Sequence, residues 1–270
     1  MISISGLKER QDLAFNILKA FDAYCRKNEL RYMVCGGTLI GAIRHHGFIP
    51  WDDDIDILMP RKDYEKFIEN ERITDLYRIV NYKKNKNCYF PFTKIIDDRT
   101  VLMEEIDRPY EIGVFIDVYP MDGVPEKDYN QIRHFSKIKK YRNLLTYNIL
   151  PFKRGKTLLT TFLKYVALIF SKTIYTRFYL NKKINLIAQR YDFDCSKYVA
   201  GLTSGYGKCE VTLREDCTKY IEVEFEEIKV FAPSNYDEYL RCIYGDYMTL
   251  PSEEKRVSPH LVTVYWKQKE

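Results

Sequence analysis

The sequence lacks most of the features that mark secreted or membrane-spanning proteins. Its seven cysteines are odd in number and scattered, and no Cys-x-x-Cys pair occurs among its 270 residues, so we expect neither a disulfide framework nor a zinc ribbon. The uninterrupted apolar run at residues 165–170 is far shorter than the roughly 20 residues that cross a bilayer. Charged residues come too early in "MISISGLKERQDLAF" for a secretory signal. We therefore predict a reduced, cytoplasmic protein whose thiols mostly pack in the core.

Acidic residues are absent from one long segment. Residues 129–191 contain 14 Lys and Arg but no Asp or Glu, whereas the rest of the chain carries 29 basic and 38 acidic residues. The formal net charge of +5 therefore combines an acidic body with a basic segment, and we expect the two to meet different partners. No helix-turn-helix, zinc-finger or RNA-binding signature accompanies the basic segment, so we predict no nucleic-acid partner.

Apolar residues recur at helical spacing within the basic segment. They are Leu158, Phe162, Tyr165, Leu168 and Ile169. A helix with such an apolar stripe and a rim of lysines suits the surface of an anionic membrane. We hypothesise that it docks the protein peripherally at the inner face of the cytoplasmic membrane. The alternative is a helical subdomain packed on the core, whose lysines face water.

Hydrophobic residues make up 46% of the chain and aromatic residues 15%, which is enough for a sizeable core. Helical and strand-like patterns alternate irregularly and without internal repeats, which favours an α+β fold with a mixed β-sheet flanked by helices over regular βαβ repetition. Helices are predicted at residues 7–28, 38–47, 61–71 and 234–245, with Thr38 and Ser234 as N-caps and Gly47 and Gly245 as terminators. Strands are predicted at residues 31–37, 54–60, 77–82, 90–96, 100–105, 114–119 and within 220–231.

Four aspartates stand beside a run of apolar residues in "WDDDIDILMP", residues 51–60. Side chains alternate between the two faces of a strand, so Asp54 and Asp56 point one way while the isoleucines beside them point into the core. Asp52 joins them if the extended geometry starts that early, and Asp53 faces away. Carboxylates on one face repel each other and burial raises their pKa values, a conflict that a bound cation removes.

A second acidic strand, in "VFIDVYPMDG", places Asp117 between two apolar residues. Three carboxylates on two neighbouring strands would make a two-metal site for phosphoryl transfer, and oxygen ligands of this kind suit Mg²⁺ or Mn²⁺. A solvated turn or an N-cap is the alternative for the aspartate run taken alone. A calcium loop is disfavoured because the required glycine and the distal Glu are absent.

A glycine pair precedes the acidic strand. Gly36 and Gly37, followed by Thr38 at a helix start, would cradle a phosphate, because they allow close backbone approach and leave N–H groups free. Such a pair alone usually marks only a turn. Followed by Asp-x-Asp and a third acid on another strand, it resembles the nucleotidyltransferase pattern.

Longer stretches resemble the LicD family. The segment "GGTLIGAIRHHGFIPWDDDIDILMPRKDYEKF" closely resembles its signature, as do "TKIIDDRT", "FIDVYPMDGVP" and "YGDYMTLPSEEKRVSPH". The resemblance covers residues 7–125 and 198–260 and implies a nucleotidyltransferase-like fold. It implies transfer of a phospho-alcohol, typically phosphocholine from CDP-choline, to a sugar hydroxyl of a cell-surface glycan such as teichoic acid, lipopolysaccharide or a capsule precursor, with release of CMP. Fukutin-related protein shares the signature and uses CDP-ribitol, so the alcohol stays open.

The resemblance also implies roles for the acids. Asp54 and Asp56 would bind the metal between the donor phosphates. Asp52 would be a third ligand, or would lie just outside the shell of ligands that contact the metal. Asp117 would bridge a metal or accept the proton of the acceptor hydroxyl. Chemistry of this kind is mostly positioning and neutralisation of charge.

Basic and aromatic residues are further candidates for holding the donor. Arg44 and Arg61 could clamp its phosphates through their N–H groups, each with an ordinary surface or ion-paired arginine as the alternative. Trp51 could stack on a base or a choline-like cation, or anchor the strand as a buried ring. Lys94, a polar residue in an apolar strand, is implied as a phosphate contact.

Other candidates lie at the end of the predicted helix 38–47 and in the motif "YGDYMTLPSEEKRVSPH". His45 and His46 could act in acid–base chemistry near neutral pH, with an exposed position at a helix end as the alternative for one of them. Asp246, Arg256 and His260 would close the site from the C-terminal side, although each taken alone is typical of a loop.

We predict a catalytic core formed by residues 1–125 and completed by residues 196–270. Residues 126–195 would form a basic, mostly helical insertion that meets the membrane surface or the acceptor. The implied partners are a CDP-activated alcohol and a lipid-linked glycan. One alternative is a nucleotidyltransferase that moves NMP from an NTP to a small molecule or protein. The other is a non-catalytic domain that binds nucleotide or glycan, against which the complete set of acids argues.

Overall fold

A mixed sheet of seven strands lies at the centre of the structure, a computed structural model that describes residues 2–4, 6–103, 110–149, 157–258 and 263–267. Its helices are α1 (Leu7–Lys27), α2 (Gly36–His45), α3 (Arg61–Ile68), α4 (Asp128–Ile149), α5 (Leu158–Thr173), α6 (Arg177–Ala188), α7 (Arg214–Thr218) and α8 (Tyr236–Tyr244). Its strands are β1 (Ile2–Ile4), β2 (Met33–Val34), β3 (Asp56–Pro60), β4 (Tyr77–Val80), β5 (Thr93–Asp97), β6 (Thr100–Met103), β7 (Phe115–Val124), β8 (Tyr198–Ala200), β9 (Thr212–Leu213), β10 (Ile221–Phe225), β11 (Ile228–Ala232) and β12 (Thr263–Trp266).

The long strand β7 organises the central sheet. The strand order is β2-β3-β7-β5-β4, and β8 and β9 extend the sheet from the far end of β7. The β3–β7 pair is parallel, whereas β7 pairs antiparallel with β5 and β8. A separate three-stranded sheet has the order β1-β12-β6, and β10 and β11 form a hairpin. The predicted α+β fold, with a mixed sheet and flanking helices, is confirmed.

Helix α1 covers the hydrophobic core beside this sheet. Its period of 3.6 residues brings one face inward, and the buried residues include Leu13, Ile17, Leu18, Phe21 and Cys25. The ring of Phe21 meets the ring of Phe67 of α3 edge-on, with centroids 5.3 Å apart. Full burial of a side chain of this size stabilises the fold by roughly 1.5–3 kcal/mol. The helix predicted at residues 7–28 therefore forms for the reason that its pattern indicated.

Several predicted boundaries are wrong by one to three residues. Helix α2 begins at Gly36 with Cys35 at its N-cap, so Thr38 lies inside it, and His46 rather than Gly47 takes the left-handed conformation at its end. Asn235, not Ser234, precedes α8, whereas Gly245 ends it with φ +70° as predicted. The strand predicted from residue 90 begins at Thr93. Strand β12 was not predicted, because its partners β1 and β6 are distant in sequence.

The basic segment is helical and has its own small core. Buried residues of α4 and α6 pack together with residues from β7, β8 and the loop after β8, namely Ile138, Leu145, Leu180, Ile184, Ala188, Val124, Ala200 and Leu202. Helix α5 differs, because its predicted stripe faces outward: Leu158 is 92% and Phe162 63% exposed. In the part of the chain that the structure describes, no helix combines the length and apolar character needed to cross a membrane.

A buried ion pair joins the sheet to these helices. The guanidinium of Arg61, at the start of α3, donates two hydrogen bonds to Asp122 of β7, at 2.7 and 2.5 Å. Its Nη1 donates a third, to Asn185 of α6 at 3.1 Å. Both charged side chains are buried. Arg61 thus connects α3, β7 and α6, which is the ion-paired alternative that the sequence left open.

Replacing Arg61 by Met should lower the free energy of unfolding by about 3–5 kcal/mol, because Asp122 would stay buried without its partner. Urea denaturation at pH 7 measures this. The matched control is Lys62→Met, the neighbouring residue, whose ammonium pairs with Asp194 at the surface and should matter little. Equal losses for the two variants would contradict the role given to the buried pair.

Candidate active site

The register of three neighbouring strands brings two acids and a lysine together. Parallel pairing sets Asp56 of β3 opposite Asp117 of β7, and antiparallel pairing sets Lys94 of β5 opposite the same Asp117. Residues opposite one another in a sheet project from the same face. Ile57 and Val118, the next residues along β3 and β7, are fully buried. The acids therefore project from the face opposite these core residues.

A tyrosine hydroxyl links the two carboxylates. Tyr119 lies two residues after Asp117 and so shares its face. Its hydroxyl lies 3.3 Å from Oδ1 of Asp56 and 3.3 Å from Oδ2 of Asp117. On the other side of Asp117, Nζ of Lys94 donates to Oδ1 at 2.6 Å. This Nζ also lies 3.4 Å from the ring centroid of Phe115, so the ammonium is held between a carboxylate and an aromatic face.

The two carboxylates are electrostatically strained. Burial raises the pKa of Asp56 well above its ordinary value, and the charges of Asp117 and Asp54 raise it further. Burial also raises the pKa of Asp117, although Lys94 opposes this effect. The partly buried carboxyls thus hold more negative charge than one ammonium offsets, which favours a further cation.

The aspartates before β3 come from a loop, not from strand alternation. The predicted strand 54–60 begins only at Asp56. Asp53 faces α1, where its Oδ2 lies 2.7 Å from Nε of Arg10, so the prediction that it turns away from the other acids is confirmed. Asp54 acts on the pKa values of both Asp56 and Asp117. Ile55 is buried, as predicted.

The glycine pair lets the N-terminus of α2 approach these acids. Gly36 takes φ +56°, and a Cβ there would lie 3.1 Å from Oδ2 of Asp56. A Cβ on Gly37 would lie 3.0 Å from Oδ2 of Asp52. Oγ1 of Thr38 accepts a hydrogen bond from the backbone N–H of Asp56 at 2.8 Å. The structure therefore brings these five predicted residues together at a helix N-terminus, whose partial positive charge suits anions.

Arg44 and Trp51 belong to another group of side chains. Arg44 is eight residues along α2 from Gly36, roughly 12 Å at 1.5 Å per residue. Its Nη1 donates to the carbonyl of Tyr247 and its Nε to His45 at 2.9 Å. The Trp51 ring meets His45 edge-on, and the guanidinium of Arg256 lies 5.9 Å from its centroid.

Two of the remaining candidates lie elsewhere. Arg61 lies in its buried pair with Asp122. Asp246 accepts a hydrogen bond from the Thr249 hydroxyl at 2.6 Å. His260 lies outside the described residues. The structure thus brings neither Arg61 nor Asp246 to the carboxylate pair.

Sequence reasoning missed the tyrosines of the site. The hydroxyls of Tyr206 and Tyr244 lie 2.8 Å apart, and they would lie 3.2 and 3.6 Å from a Cβ on Gly36. Nothing in the sequence connects Tyr206 and Tyr244 to a turn that lies 170 and 208 positions earlier. Tyr119 was accessible from sequence, because a residue two positions after a strand acid shares its face.

The donor set fits Mg²⁺ or Mn²⁺ bound together with a phosphate ligand. Among the described residues, no group of three or more His, Cys, Asp or Glu side chains could hold a metal ion by itself. Asp52 and Asp54 lie on the loop before β3, and Lys94 engages Asp117. The partly buried pair Asp56 and Asp117 is sufficient, since Mg²⁺ commonly takes one or two carboxylates and completes its shell with phosphate oxygens and water.

The glycine pair and both carboxylates lie within the part of the chain that matches a family of known proteins. A family model described as "LicD/FKTN/FKRP, nucleotidyltransferase domain" matches residues 29–143. The chain is 31% identical over 268 residues to "Lipopolysaccharide cholinephosphotransferase LicD" of Haemophilus influenzae (strain ATCC 51907 / DSM 11121 / KW20 / Rd), covering 96% of this chain and 97% of the relative. It is 27% identical over 143 residues to an uncharacterized protein of Rickettsia typhi (strain ATCC VR-144 / Wilmington), covering 52% of this chain and 43% of that protein.

Asp56→Asn should stabilise the metal-free protein at pH 7 by about 0.5–2 kcal/mol, as is common when a functional site is relieved of strain. Because the pKa of Asp56 is raised in the folded state, its carboxyl destabilises the fold increasingly as pH rises above about 4, where the unfolded chain ionises first. The gain should therefore shrink toward pH 4. Urea denaturation between pH 4 and 7 measures both effects.

Asp53→Asn is the matched control, since it weakens the pair with Arg10 and should destabilise the protein at pH 7. Loss of stability in Asp56→Asn, or a gain independent of pH, would contradict the electrostatic account.

Proposed function

This chain belongs to the LicD family, and on that premise we propose that it is a phosphotransferase that moves phosphocholine from CDP-choline to a sugar hydroxyl of a cell-surface glycan. The observation that carries the proposal is the in-register pair Asp56 and Asp117, linked by the hydroxyl of Tyr119. It occurs in a chain similar over nearly its whole length to a relative named as a lipopolysaccharide cholinephosphotransferase. A precursor of lipopolysaccharide is thus the first acceptor to test, with teichoic acid and capsule precursors next.

Asp56 and Asp117 would hold Mg²⁺ or Mn²⁺, with Asp54 and Asp52 close enough in the chain to assist. When bound, the ion would neutralise charge on the donor phosphates and on the departing CMP. The raised pKa values of both carboxyls support this assignment, because a cation relieves the repulsion between them.

The protein's own groups would position the donor and take up the proton. Backbone N–H groups at Gly36 and Gly37 would bind a phosphate at the start of α2. The acceptor oxygen forms a bond to the β-phosphorus of the CDP-alcohol, while the bond from that phosphorus to the oxygen bridging to CMP breaks. Asp117 would accept the hydroxyl proton. Tyr119 would keep the two carboxylates in place.

A thermal-shift titration should identify the donor. CDP-choline with Mg²⁺ or Mn²⁺ should raise the melting temperature, because a ligand at 100 times its Kd stabilises the native state by about 2.7 kcal/mol. The same plate holds CDP-ribitol, CDP-glycerol, CTP and ATP, each with and without metal. A shift with another CDP-alcohol would change the transferred group. A shift with CTP or ATP alone would favour nucleotidyl transfer, and no shift at all would favour a non-catalytic domain.

The rate of CMP release in the presence of a lipopolysaccharide precursor tests the roles proposed for Asp117 and Asp56. Asp117→Asn should lower the rate by about 10²–10⁴-fold, the usual range for loss of a general base, and Asp56→Asn should also abolish the metal-dependent shift. Asp53→Asn is the control that should retain metal-dependent binding. Full activity of Asp56→Asn would overturn the metal assignment.

Helix α5 supports a further proposal, that the protein docks on an anionic membrane where a lipid-linked acceptor resides. Its apolar residues Leu158, Leu159, Phe162 and Leu163 are all more than half exposed. They belong to the segment 129–191, which has 14 basic and no acidic residues. Apolar side chains with a basic surround are typical of helices that lie in the interface of anionic lipids.

Flotation with vesicles should recover more protein with anionic than with neutral lipids. Phe162→Glu combined with Leu163→Glu should reduce recovery, because charged side chains would replace apolar ones at the lipid boundary. Leu76→Glu, an exposed leucine of the acidic body, is the control. Equal recovery with neutral and anionic vesicles would contradict electrostatic docking.

A further inference from the structure

An arginine of the basic segment reaches a glycine-containing loop beside the candidate active site. Arg142 lies on α4, and its Nη2 donates to the carbonyl of Ser204 at 3.3 Å. Gly205, the next residue of this loop, takes φ +127°, and a Cβ there would lie 3.0 and 3.1 Å from the two terminal nitrogens of Arg142. A side chain at residue 205 would therefore crowd the guanidinium, and the positive φ there also favours glycine.

The charge of Arg142 is poorly compensated. Within the residues that the structure describes, no carboxylate lies within 4 Å of the guanidinium, and its long bond to Ser204 is a small fraction of what five N–H donors can make. Burial lowers the pKa of Arg142 below its ordinary value, against the opposing influence of Tyr119 and Glu210. A charge withdrawn from water without a counter-ion is costly, so the site is suited to an anion that binds from solution.

Glu210 is the nearby acid that could have supplied the counter-charge. It is buried and accepts a hydrogen bond from the hydroxyl of Ser204. Burial raises the pKa of Glu210 to about 8, so most of this carboxyl is neutral at pH 7. Arg142 therefore keeps an excess positive charge at neutral pH.

The other basic residues singled out at the centre of the sheet are already engaged. Lys94 pairs with Asp117 and Arg61 with Asp122. Arg142, in contrast, is within electrostatic range of Tyr119, whose hydroxyl contacts both carboxylates. The next loop residue, Tyr206, has its hydroxyl beside Gly36 at the glycine turn. The loop and the guanidinium thus border the place where the donor phosphates would lie.

We propose that Arg142, presented at the loop of residues 201–207, binds the diphosphate of the nucleotide donor. The inference rests on the proposed function for the identity of the ligand, and on the contacts of Arg142 for its chemistry. A guanidinium offers a planar pair of N–H groups that matches two phosphate oxygens. Arg142 acts as a binding and positioning residue: its guanidinium neutralises charge on the diphosphate. It takes no part in the transfer of the acceptor's proton, which goes to Asp117.

Isothermal titration calorimetry with CDP-choline and with inorganic pyrophosphate, both with Mg²⁺, tests the assignment. Arg142→Gln should raise the Kd of both ligands about 10- to 100-fold, the range for losing a charge-assisted contact. Arg142→Lys should fall between Arg142→Gln and the unmodified protein, because it keeps the charge and loses the planar pair of donors. The control is Arg133→Gln, an exposed arginine on the same helix, which should leave both Kd values unchanged.

Thermal melting without ligand separates binding from a structural role. Arg142→Gln should melt no lower than Arg133→Gln, because the guanidinium has no ion pair to lose. A marked drop in melting temperature with unchanged Kd values would show that Arg142 serves only the fold, and would overturn the inference.

The two ligands distinguish failure of this inference from failure of the proposed function. If CDP-choline and pyrophosphate bind equally well to Arg142→Gln and Arg133→Gln, the subsite is refuted and the proposed function stands. If pyrophosphate binds through Arg142 and CDP-choline does not bind, the subsite stands and the donor is wrong. If pyrophosphate does not bind the unmodified protein, the subsite is refuted.

Discussion

Two like charges held side by side inside the protein are the constraint on which the rest of the structure depends. Parallel pairing of β3 with β7 fixes the backbone of Asp56 opposite that of Asp117, so both carboxyls leave the same face of the sheet. The neighbouring residues partly offset the repulsion. Lys94 contacts Asp117, and the hydroxyl of Tyr119 contacts both acids. The N-terminus of α2 approaches Asp56 at Gly36. The buried residues on the opposite face, such as Ile57 and Val118, supply the packing that holds this arrangement.

The sequence was sufficient wherever local periodicity decides the structure. The 3.6-residue period of α1 and the alternation of Asp56 with Ile57 at the start of β3 both led to correct faces, because these patterns act over a few residues. Asp56 and Asp117 could each be assigned to a strand for the same reason, whereas the pairing of the two strands is a tertiary feature. Boundaries were less certain: Gly36 rather than Thr38 opens α2, since its left-handed φ lets the chain turn directly into the helix.

What the sequence could not provide was tertiary pairing. Arg61 and Asp122 are both ordinary charged residues until the fold buries them against each other. Arg142 is one of 14 basic residues in a segment without acids, and only the contact with Ser204 and Gly205 separates it from its neighbours. Tyr206 and Tyr244 reach the glycine turn from the far end of the chain. In each case the partner is chosen by the topology of the sheet, which composition and spacing do not encode.

The parallel pairing of β3 with β7 also has a consequence for the order of events during folding. It joins residues about 60 positions apart, and the antiparallel strands β4 and β5 lie between them in the chain. Contacts over such separations form late, because the entropy of loop closure must be overcome before they contribute. In a nascent chain that has been synthesised only as far as β3, Asp56 is therefore a solvated carboxylate without Asp117 beside it, and its affinity for cations is ordinary. The pairing of Asp56 with Asp117 arises only when β7 joins β3, so the candidate active site is complete only when the sheet is complete.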